Sequence, residues 1–207
     1  GHSSEVRSVA FLSDGKQVIS GSEGLSRVRT WMVKDGREAR VGRVMGEKSV
    51  VTAVATSNDG QWIATANGSR PGDAHSNRVT IWKATTHRKV VELEGHSAQV
   101  QSLAFSPDSA RVVSGSWDGM VLVWSTTGER LIAHEDFVKS VAVSHNGNFI
   151  VSGSRDYKVR IWDMATSTQI GSTLQHNDWV NSVAISPDGS YLATGGVEKK
   201  VYIWSLK

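Results

Sequence analysis

The chain has 207 residues, a formal net charge of +3, 39% hydrophobic residues, 20 glycines, three prolines and no cysteine. That length fits one large domain or two small ones, the lack of cysteine excludes disulfides and thiolate metal sites, and the scattered basic residues form no run that would mark a nucleic-acid or membrane footprint. No apolar stretch approaches the roughly 18 residues of a membrane helix, and Gly1-His2-Ser3-Ser4 reads as the interior of a longer chain, so an intracellular and cytoplasmic protein is expected.

Taken in order, the predicted elements repeat. The first unit opens on His2, runs through a short strand bearing Ser8 and Ala10, turns at Ser13-Asp14-Gly15, returns through Ser20 and closes on the strand VRTW ending at Trp31. The second has Glu47 at the anchor place, then Ala53, Ala55, a turn at Asn58-Asp59-Gly60, Thr65, an insertion around 70–75, and VTIW ending at Trp82. A weaker, more polar outer strand follows at 88–93. The third opens on His96 and passes Ser102, Ala104, the turn SPDS at 106–109, a strand at 111–115 and VLVW ending at Trp124. The fourth has His134, Ser140, Ala142, the turn HNG at 145–147, Ser152, VRIW ending at Trp162 and an outer strand at 168–174. The fifth has His176, Ser182, Ala184, the turn SPDG at 186–189, Thr194 and VYIW ending at Trp204.

The tryptophans are spaced by 51, 42, 38 and 42 residues. A period near 40 with about four short strands per unit is the signature of β-propeller blades, here with boundaries near 2–44, 45–94, 95–133, 134–174 and 175–207. Within the inner strand the positions six and eight after the anchor hold only small residues, and they share one face because side chains alternate with period two. The interleaved Val9, Val54, Leu103, Val141 and Val183 are apolar, as expected of a strand buried on both faces.

The phrases GHSAQVQSLAFSPD (95–108), VSGSWDGMVLVW (113–124), VSGSRDYKVRIWD (151–163) and NSVAISPDG (181–189) resemble the WD-repeat family, and the resemblance covers essentially the whole chain. It implies an all-β propeller of four-stranded blades, a single domain or propeller fragment over residues 1–207, whose fifth blade lacks its own outer strand. It also implies a hydrogen-bonded set of His, Ser or Thr, Asp and Trp inside each blade. The third unit matches this set with His96, Ser114, Asp118 and Trp124, and the fourth with His134, Ser152, Asp156 and Trp162. The fifth carries Glu198 in place of Asp, which reads as drift; the first leaves its acid open among Ser22-Glu23-Gly24-Leu25. Complete sets satisfy every buried polar group, so blades three and four are expected to be the most rigid. Five repeats leave three readings: a fragment of a longer ring, a small closed ring, or a chain that completes its ring with a second copy.

No catalytic residue, cofactor or metal is expected. Gly115-Ser116-Trp117-Asp118-Gly119 has no central serine for a nucleophile elbow and reads as a blade turn. The histidines lack metal-ligand spacing: four are blade anchors, and His75, His87 and His145 read as exposed polar residues.

Function is expected at positions that vary against the repeating framework. Three residues after the anchor stand Glu5, Val50, Gln99, Phe137 and Trp179; five after it stand Arg7, Thr52, Gln101, Lys139 and Asn181. Beside the turn acid stand Trp117, Arg155, Val197 and Tyr157. Aromatic and arginine side chains are what interface hot spots prefer. The expected partner-binding face is therefore Trp117, Phe137, Lys139, Arg155, Tyr157, Trp179, Asn181, Gln99, Gln101 and Arg7, on a non-catalytic scaffold for a protein or peptide, with no membrane partner. The competing readings are recognition of a charged ligand, such as nucleic acid or a modified tail, and a self-assembling propeller module.

Overall fold

The computed structural model describes residues 1–24, 28–39, 50–68, 76–124, 129–132 and 134–206; Leu25, Glu47, Arg70, His75 and Lys207 lie outside the described residues. Every element it describes is a β-strand, and strands consecutive in sequence pair into five antiparallel sheets, one per repeat unit. Among the described residues no helix is long and apolar enough to cross a membrane.

The chain divides into two compact units, Gly1–Val100 and Gln101–Lys207. The first holds sheet 1, made of β1 (Val6–Phe11), β2 (Gln17–Ser22) and β3 (Val28–Met32), and sheet 2, made of β4 (Val51–Thr56), β5 (Trp62–Asn67), β6 (Val79–Lys83) and β7 (Lys89–Leu93). The second holds three sheets. Sheet 3 comprises β8 (Val100–Phe105), β9 (Val112–Ser116), β10 (Met120–Trp124) and β11 (Glu129–Ile132). Sheet 4 comprises β12 (Val138–Val143), β13 (Phe149–Ser154), β14 (Lys158–Asp163) and β15 (Leu174–Gln175); sheet 5 comprises β16 (Val180–Ile185), β17 (Tyr191–Gly196) and β18 (Val201–Ser205). Sheet 5 has three strands, as expected of a blade without its own outer strand. The outer strand expected at 168–174 is shorter than its prediction: after an isolated bridge from Trp162 to Gln169 the chain bends at Gly171, whose φ is +64°, and pairs again only at β15.

The inner hairpins are closed by local chemistry. The hydroxyl of Ser106 donates to the Asp108 carboxylate and accepts from the Arg111 N–H, while the same carboxylate accepts from the Ala110 N–H. Ser57 with Asp59, Ser144 with Asn146 and Ser186 with Asp188 repeat this arrangement. Short polar side chains that bond their own backbone are why these residues recur in the turns. On Asp188 the hydroxyls of Ser186 and Ser190 and the Ser190 N–H hold the carboxyl at about 2.

Inside each unit, neighbouring sheets pack by one rule. A glycine in the second strand leaves room for two valines of the next sheet's inner strand. A Cβ at Gly21 would lie 2.5 Å from Val51 Cγ1 and 3.0 Å from Val54 Cγ1. At Gly115 the corresponding distances are 2.6 Å to Val138 and 2.8 Å to Val141, and at Gly153 both Val180 and Val183 stand at 2.8 Å. The backbone N–H of the second valine then donates to a serine hydroxyl of the preceding sheet: Val54 to Ser8 (3.1 Å), Val141 to Ser102 (3.1 Å), Val183 to Ser140 (3.2 Å). The small residues read from the repeat are thus packing positions. The expectation of inner strands buried on both faces fails at β1 and β16, where Val6, Val9, Ser182 and Ala184 are exposed.

Candidate partner-binding site

The site grows out of a defect in the strands. β12 pairs with β13 with a register shift between Val138 and Ser140, and β16 pairs with β17 with the same shift between Val180 and Ser182. Such a bulge adds one residue, bends the strand and re-aims a side chain. The residue it frees is the one five after the anchor: Lys139 in sheet 4 and Asn181 in sheet 5, with Arg7 and Thr52 in the first unit. A backbone bond then ties the two other variable positions of a blade together. The Arg155 N–H donates to the Phe137 carbonyl at 3.0 Å, and the Val197 N–H to the Trp179 carbonyl at 3.0 Å. Asp136 and Asp178 pin the same segments by accepting the N–H of Phe137 (2.6 Å) and of Trp179 (2.7 Å).

These supports place a row of aromatic and cationic side chains along one end of sheets 3 to 5. The rings of Trp117 and Phe137 stack with centroids 4.9 Å apart and planes 7° from parallel. The Arg155 guanidinium lies 5.0 Å from the Phe137 centroid and 3.6 Å from that of Trp179, so it sits between two aromatic faces. Lys139 extends the row with its ammonium 5.7 Å from the Trp117 ring centroid. Each cation–π contact contributes about 0.5–1 kcal/mol at exposed sites, and an aromatic pair about 0.5–1.5 kcal/mol. The row is therefore preorganised. It is also open to contact: Trp179 is 37% exposed, and the other four are half-buried. The indole N–H of Trp117 and the Nε–H of Arg155 have no hydrogen-bond partner, and no described carboxylate pairs with Arg155.

Below this row the His–Ser–Asp–Trp set of sheet 4 is complete. The Trp162 indole N–H donates to Ser152 Oγ (2.9 Å), Ser152 bonds His134 Nε2 (2.7 Å), and His134 Nδ1 meets Asp156 Oδ2 (2.9 Å). An ionised carboxylate only accepts, so Nδ1 carries the proton and Nε2 accepts the serine hydroxyl. Burial pushes the Asp156 carboxyl up, but the His134 hydrogen bond and the N–H groups of Glu135 and Lys158 outweigh it and hold the group below the usual carboxylate range. The Asp156 bond to the Glu135 N–H joins this set to the loop carrying Phe137. In sheet 3 Trp124 donates to Ser114 (2.8 Å), Asp118 accepts the Met120 N–H (2.9 Å), and the ring of His96 is buried.

The structure thus brings Trp117, Phe137, Lys139, Arg155 and Trp179 together in one row. The ring of Tyr157 takes no part in the row: it is 41% exposed and stands on a backbone with φ +68°, in the place Gly119 (φ +79°) holds in sheet 3. Asn181 is exposed and Gln101 half-buried in the second unit, outside the stacked row. In the first unit Gln99 lies beside Gly68, and Arg7 is engaged with Glu5 (2.8 Å) and Glu23 (2.7 Å).

Two residues depart from their sequence reading, and one place that the sequence left open is filled. Glu198 is no drift: its carboxylate accepts the Asn177 N–H, as Asp156 accepts that of Glu135, and also the Tyr202 hydroxyl. The Tyr202 hydroxyl and the Asn177 N–H hold the Glu198 carboxyl below its ordinary value, and Glu198 in turn pushes the Tyr202 phenol up. The paired change was visible as VYIW in the fifth unit alone. In the first unit the Glu23 N–H donates to the Glu5 carbonyl as Arg155 does to Phe137, which puts Gly24, without a carboxylate, at the place of the acid. The unit keeps His2, Ser20 and Trp31, with Ser20 bonded to both rings at 2.6 and 2.7 Å. His87, expected exposed, is buried: it turns at φ +53° and its N–H closes on the Lys83 carbonyl, folding it in beside Ala84 and Thr85.

At the opposite end of the strands of the second unit a groove of about 490 Å³ is lined by Asp108, Arg111, Asn148, Asp163 and Met164. Its carboxylates are engaged in turns, Asp108 with Ser106 and Asp163 with the N–H groups of Ala165 and Thr166, and Arg111 donates to the Met164 carbonyl. No group of three or more metal-ligating side chains occurs among the described residues.

Comparison with known proteins agrees with this architecture. The family model "WD domain, G-beta repeat" matches residues 1–29, 40–83, 87–125, 127–163 and 167–205. The chain is similar to a guanine nucleotide-binding protein subunit beta of Arabidopsis thaliana, 26% identical over 64% of this chain and 35% of that protein. It is also similar to the 66 kDa stress protein of Physarum polycephalum, 30% identical over 55% of this chain and 18% of that one, and to periodic tryptophan protein 2 of Saccharomyces cerevisiae, 31% identical over 40% and 8%. The chain spans about a third or less of the length of these relatives. With five matched repeats, one on each antiparallel sheet, the chain belongs to the WD-repeat family.

Proposed function

We propose that the chain is a non-catalytic scaffold that binds a protein or peptide on the row Lys139–Trp117–Phe137–Arg155–Trp179. The observation that carries this reading is the guanidinium of Arg155 held between two aromatic faces with no described carboxylate to pair it. An internal ion pair would satisfy that charge; here it is half-buried in a row of the residue types that dominate interface hot spots. The row suits a peptide that lays an apolar side chain along the aromatics and sets a carboxylate or carbonyl on Arg155. The repeat family and its relatives, among them a guanine nucleotide-binding protein subunit beta, support a binding role over a catalytic one.

The test is a selection from a random peptide display library on the immobilised chain, with the Trp117→Ala/Trp179→Ala double variant as the counter-screen. Both residues lie in loops outside the strands, so the variant is expected to stay folded, with its thermal transition lowered only by the loss of the ring contacts. Selected peptides that lose binding to the variant support the row; peptides that bind both chains equally overturn it. A steep decline of binding with salt would favour the charged-ligand reading instead.

A further inference from the structure

The first hairpin of every sheet closes on one turn design, and sheet 4 departs from it by a single side-chain group. In the other four turns an aspartate carboxylate accepts the backbone N–H two residues on: Asp14 from Lys16 (2.8 Å), Asp59 from Gln61 (2.9 Å), Asp108 from Ala110 (3.0 Å) and Asp188 from Ser190 (3.1 Å). In sheet 4 the acceptor is the amide of Asn146. Its Oδ1 takes the Asn148 N–H at 3.0 Å and the Ser144 hydroxyl at 2.8 Å, as Asp108 and Asp188 take the hydroxyls of Ser106 and Ser186. An amide thus stands where the turn is shaped for a carboxylate.

Asn146 is followed by Gly147, and an Asn-Gly pair loses its amide without an enzyme. The Gly147 backbone nitrogen attacks Asn146 Cγ, a cyclic imide closes, and ammonia leaves with the proton that the nitrogen gives up. Water then opens the imide. Opening at the side-chain carbonyl yields aspartate; opening at the main-chain carbonyl yields isoaspartate, which carries an extra methylene in the backbone. Glycine favours the attack because it has no Cβ to hinder close approach.

The fold separates this pair from Asn67-Gly68, the other Asn-Gly in the sequence. Asn67 is 2% exposed and ends β5 opposite Val51; its N–H donates to the Arg78 carbonyl, and the Gly68 N–H donates to the Val50 carbonyl. Freeing that nitrogen requires sheet 2 to open. Asn146 lies in an exposed turn between β12 and β13, its amide nitrogen bonds no described residue, and the Gly147 N–H is held by the Ser144 carbonyl at 2.9 Å. An exposed turn opens locally at lower cost than paired strands do.

We propose that Asn146 is a site of spontaneous deamidation, selected over Asn67 by the fold, and that its aspartate product completes the turn in the form the other four sheets carry. The Ser106 hydroxyl and the Ala110 N–H hold the Asp108 carboxyl below its ordinary value, and Ser186 and Ser190 do the same at Asp188. This turn therefore favours the ionised group, and the product adds stability at any pH above its unfolded value. Asn146 also lines the groove that holds Arg111 and Asp108, so conversion places a new negative charge there. The inference is independent of the aromatic row, which lies at the opposite end of the strands.

The experiment ages the full chain at mildly alkaline pH, folded and in urea, and maps its peptides by mass spectrometry, with Asn146→Asp as the reference for the product. In the folded chain the mass gain of deamidation is expected at Asn146 and not at Asn67, with a matching acidic shift on ion exchange; in urea both pairs are expected to convert. Asn146→Asp is expected to raise the urea midpoint at neutral pH and to lose that gain as pH falls below about 4. Conversion of Asn67 as fast as Asn146 in the folded chain, an intact Asn146 there while the urea sample converts, or an Asn146→Asp midpoint at or below that of the parent at neutral pH would each overturn the proposal.

Discussion

Replacing Gly153 with alanine tests the packing rule that holds each sheet to the next. The added Cβ would stand 2.8 Å from Cγ1 of Val180 and 2.8 Å from Cγ1 of Val183, where ordinary contact begins near 3.4 Å. Both valines are buried, and β-branched side chains hold one preferred χ1, so neither methyl turns away cheaply. Overpacking of this kind costs about 1–3 kcal/mol, while alanine in place of glycine in a strand returns about 0.5–1 kcal/mol, so the net loss is up to about 2.5 kcal/mol. Gly195→Ala is the internal control. It is the same substitution at the same place in the next sheet, yet its nearest neighbour is at 3.6 Å, so only the backbone gain of about 0.5–1 kcal/mol remains. Urea unfolding followed by tryptophan fluorescence, at a concentration where the parent is monomeric, reads both. Opposite signs are expected. Equal stability changes for the two variants would refute the reasoning, because the valine contacts are what distinguishes the two sites.

Ser152→Ala removes the hydroxyl shared by Trp162 and His134 and leaves two buried groups without a partner; at about 1–3 kcal/mol for each unsatisfied group, a loss of about 2–6 kcal/mol is expected in the same unfolding assay. Tyr157→Gly relieves a left-handed backbone and is expected to stabilise the chain by up to about 1 kcal/mol, read as a raised urea midpoint; a destabilised variant would mean that the ring packs usefully. Asp156, Asp188 and Glu198 all have carboxyl groups held below their ordinary values. A group whose folded value is depressed adds stability that is fully present above its unfolded value, near pH 4, and is lost as pH falls through the folded value. Stability is therefore expected to fall from about pH 4 downwards, with a shallower fall in Asp156→Asn; an unchanged slope in that variant would count against the His134–Asp156 pair.

The repeat made most of the fold legible. The anchor histidine (Glu47 in the second unit), the serine or threonine 18 residues on and the tryptophan mark three strands of each sheet, and in sheet 4 the structure joins them through the Trp162–Ser152–His134 bonds. The row of Trp117, Phe137, Lys139, Arg155 and Trp179 was legible as positions that vary where the framework does not. What joins them was not. The bulge at Lys139 and the bond from Arg155 to the Phe137 carbonyl are properties of backbone register, which leaves no mark on residue type. Tyr157 illustrates the limit: adjacency in sequence to the turn acid suggested a contact, but its ring stands 41% exposed on a left-handed backbone and takes no part in the stack. Glu198 was misread because its compensation lies four residues on, in Tyr202, and only geometry links the two. Val6 and Val9 are exposed where their counterparts Val51 and Val54 are buried, so burial there depends on a neighbour rather than on the strand itself.

The account rests most directly on the aromatic row, and a fluorescence anisotropy titration of a labelled, selected peptide against the parent and Trp179→Ala tests it. Trp179 forms one wall of the Arg155 sandwich and is exposed at 37%, so its removal strips contact area and frees the guanidinium without opening the core. A hot-spot loss of about 2 kcal/mol or more, a rise in Kd of about thirtyfold, is the expected result. An unchanged Kd, with the variant folded, would contradict the assignment of this row as the binding site.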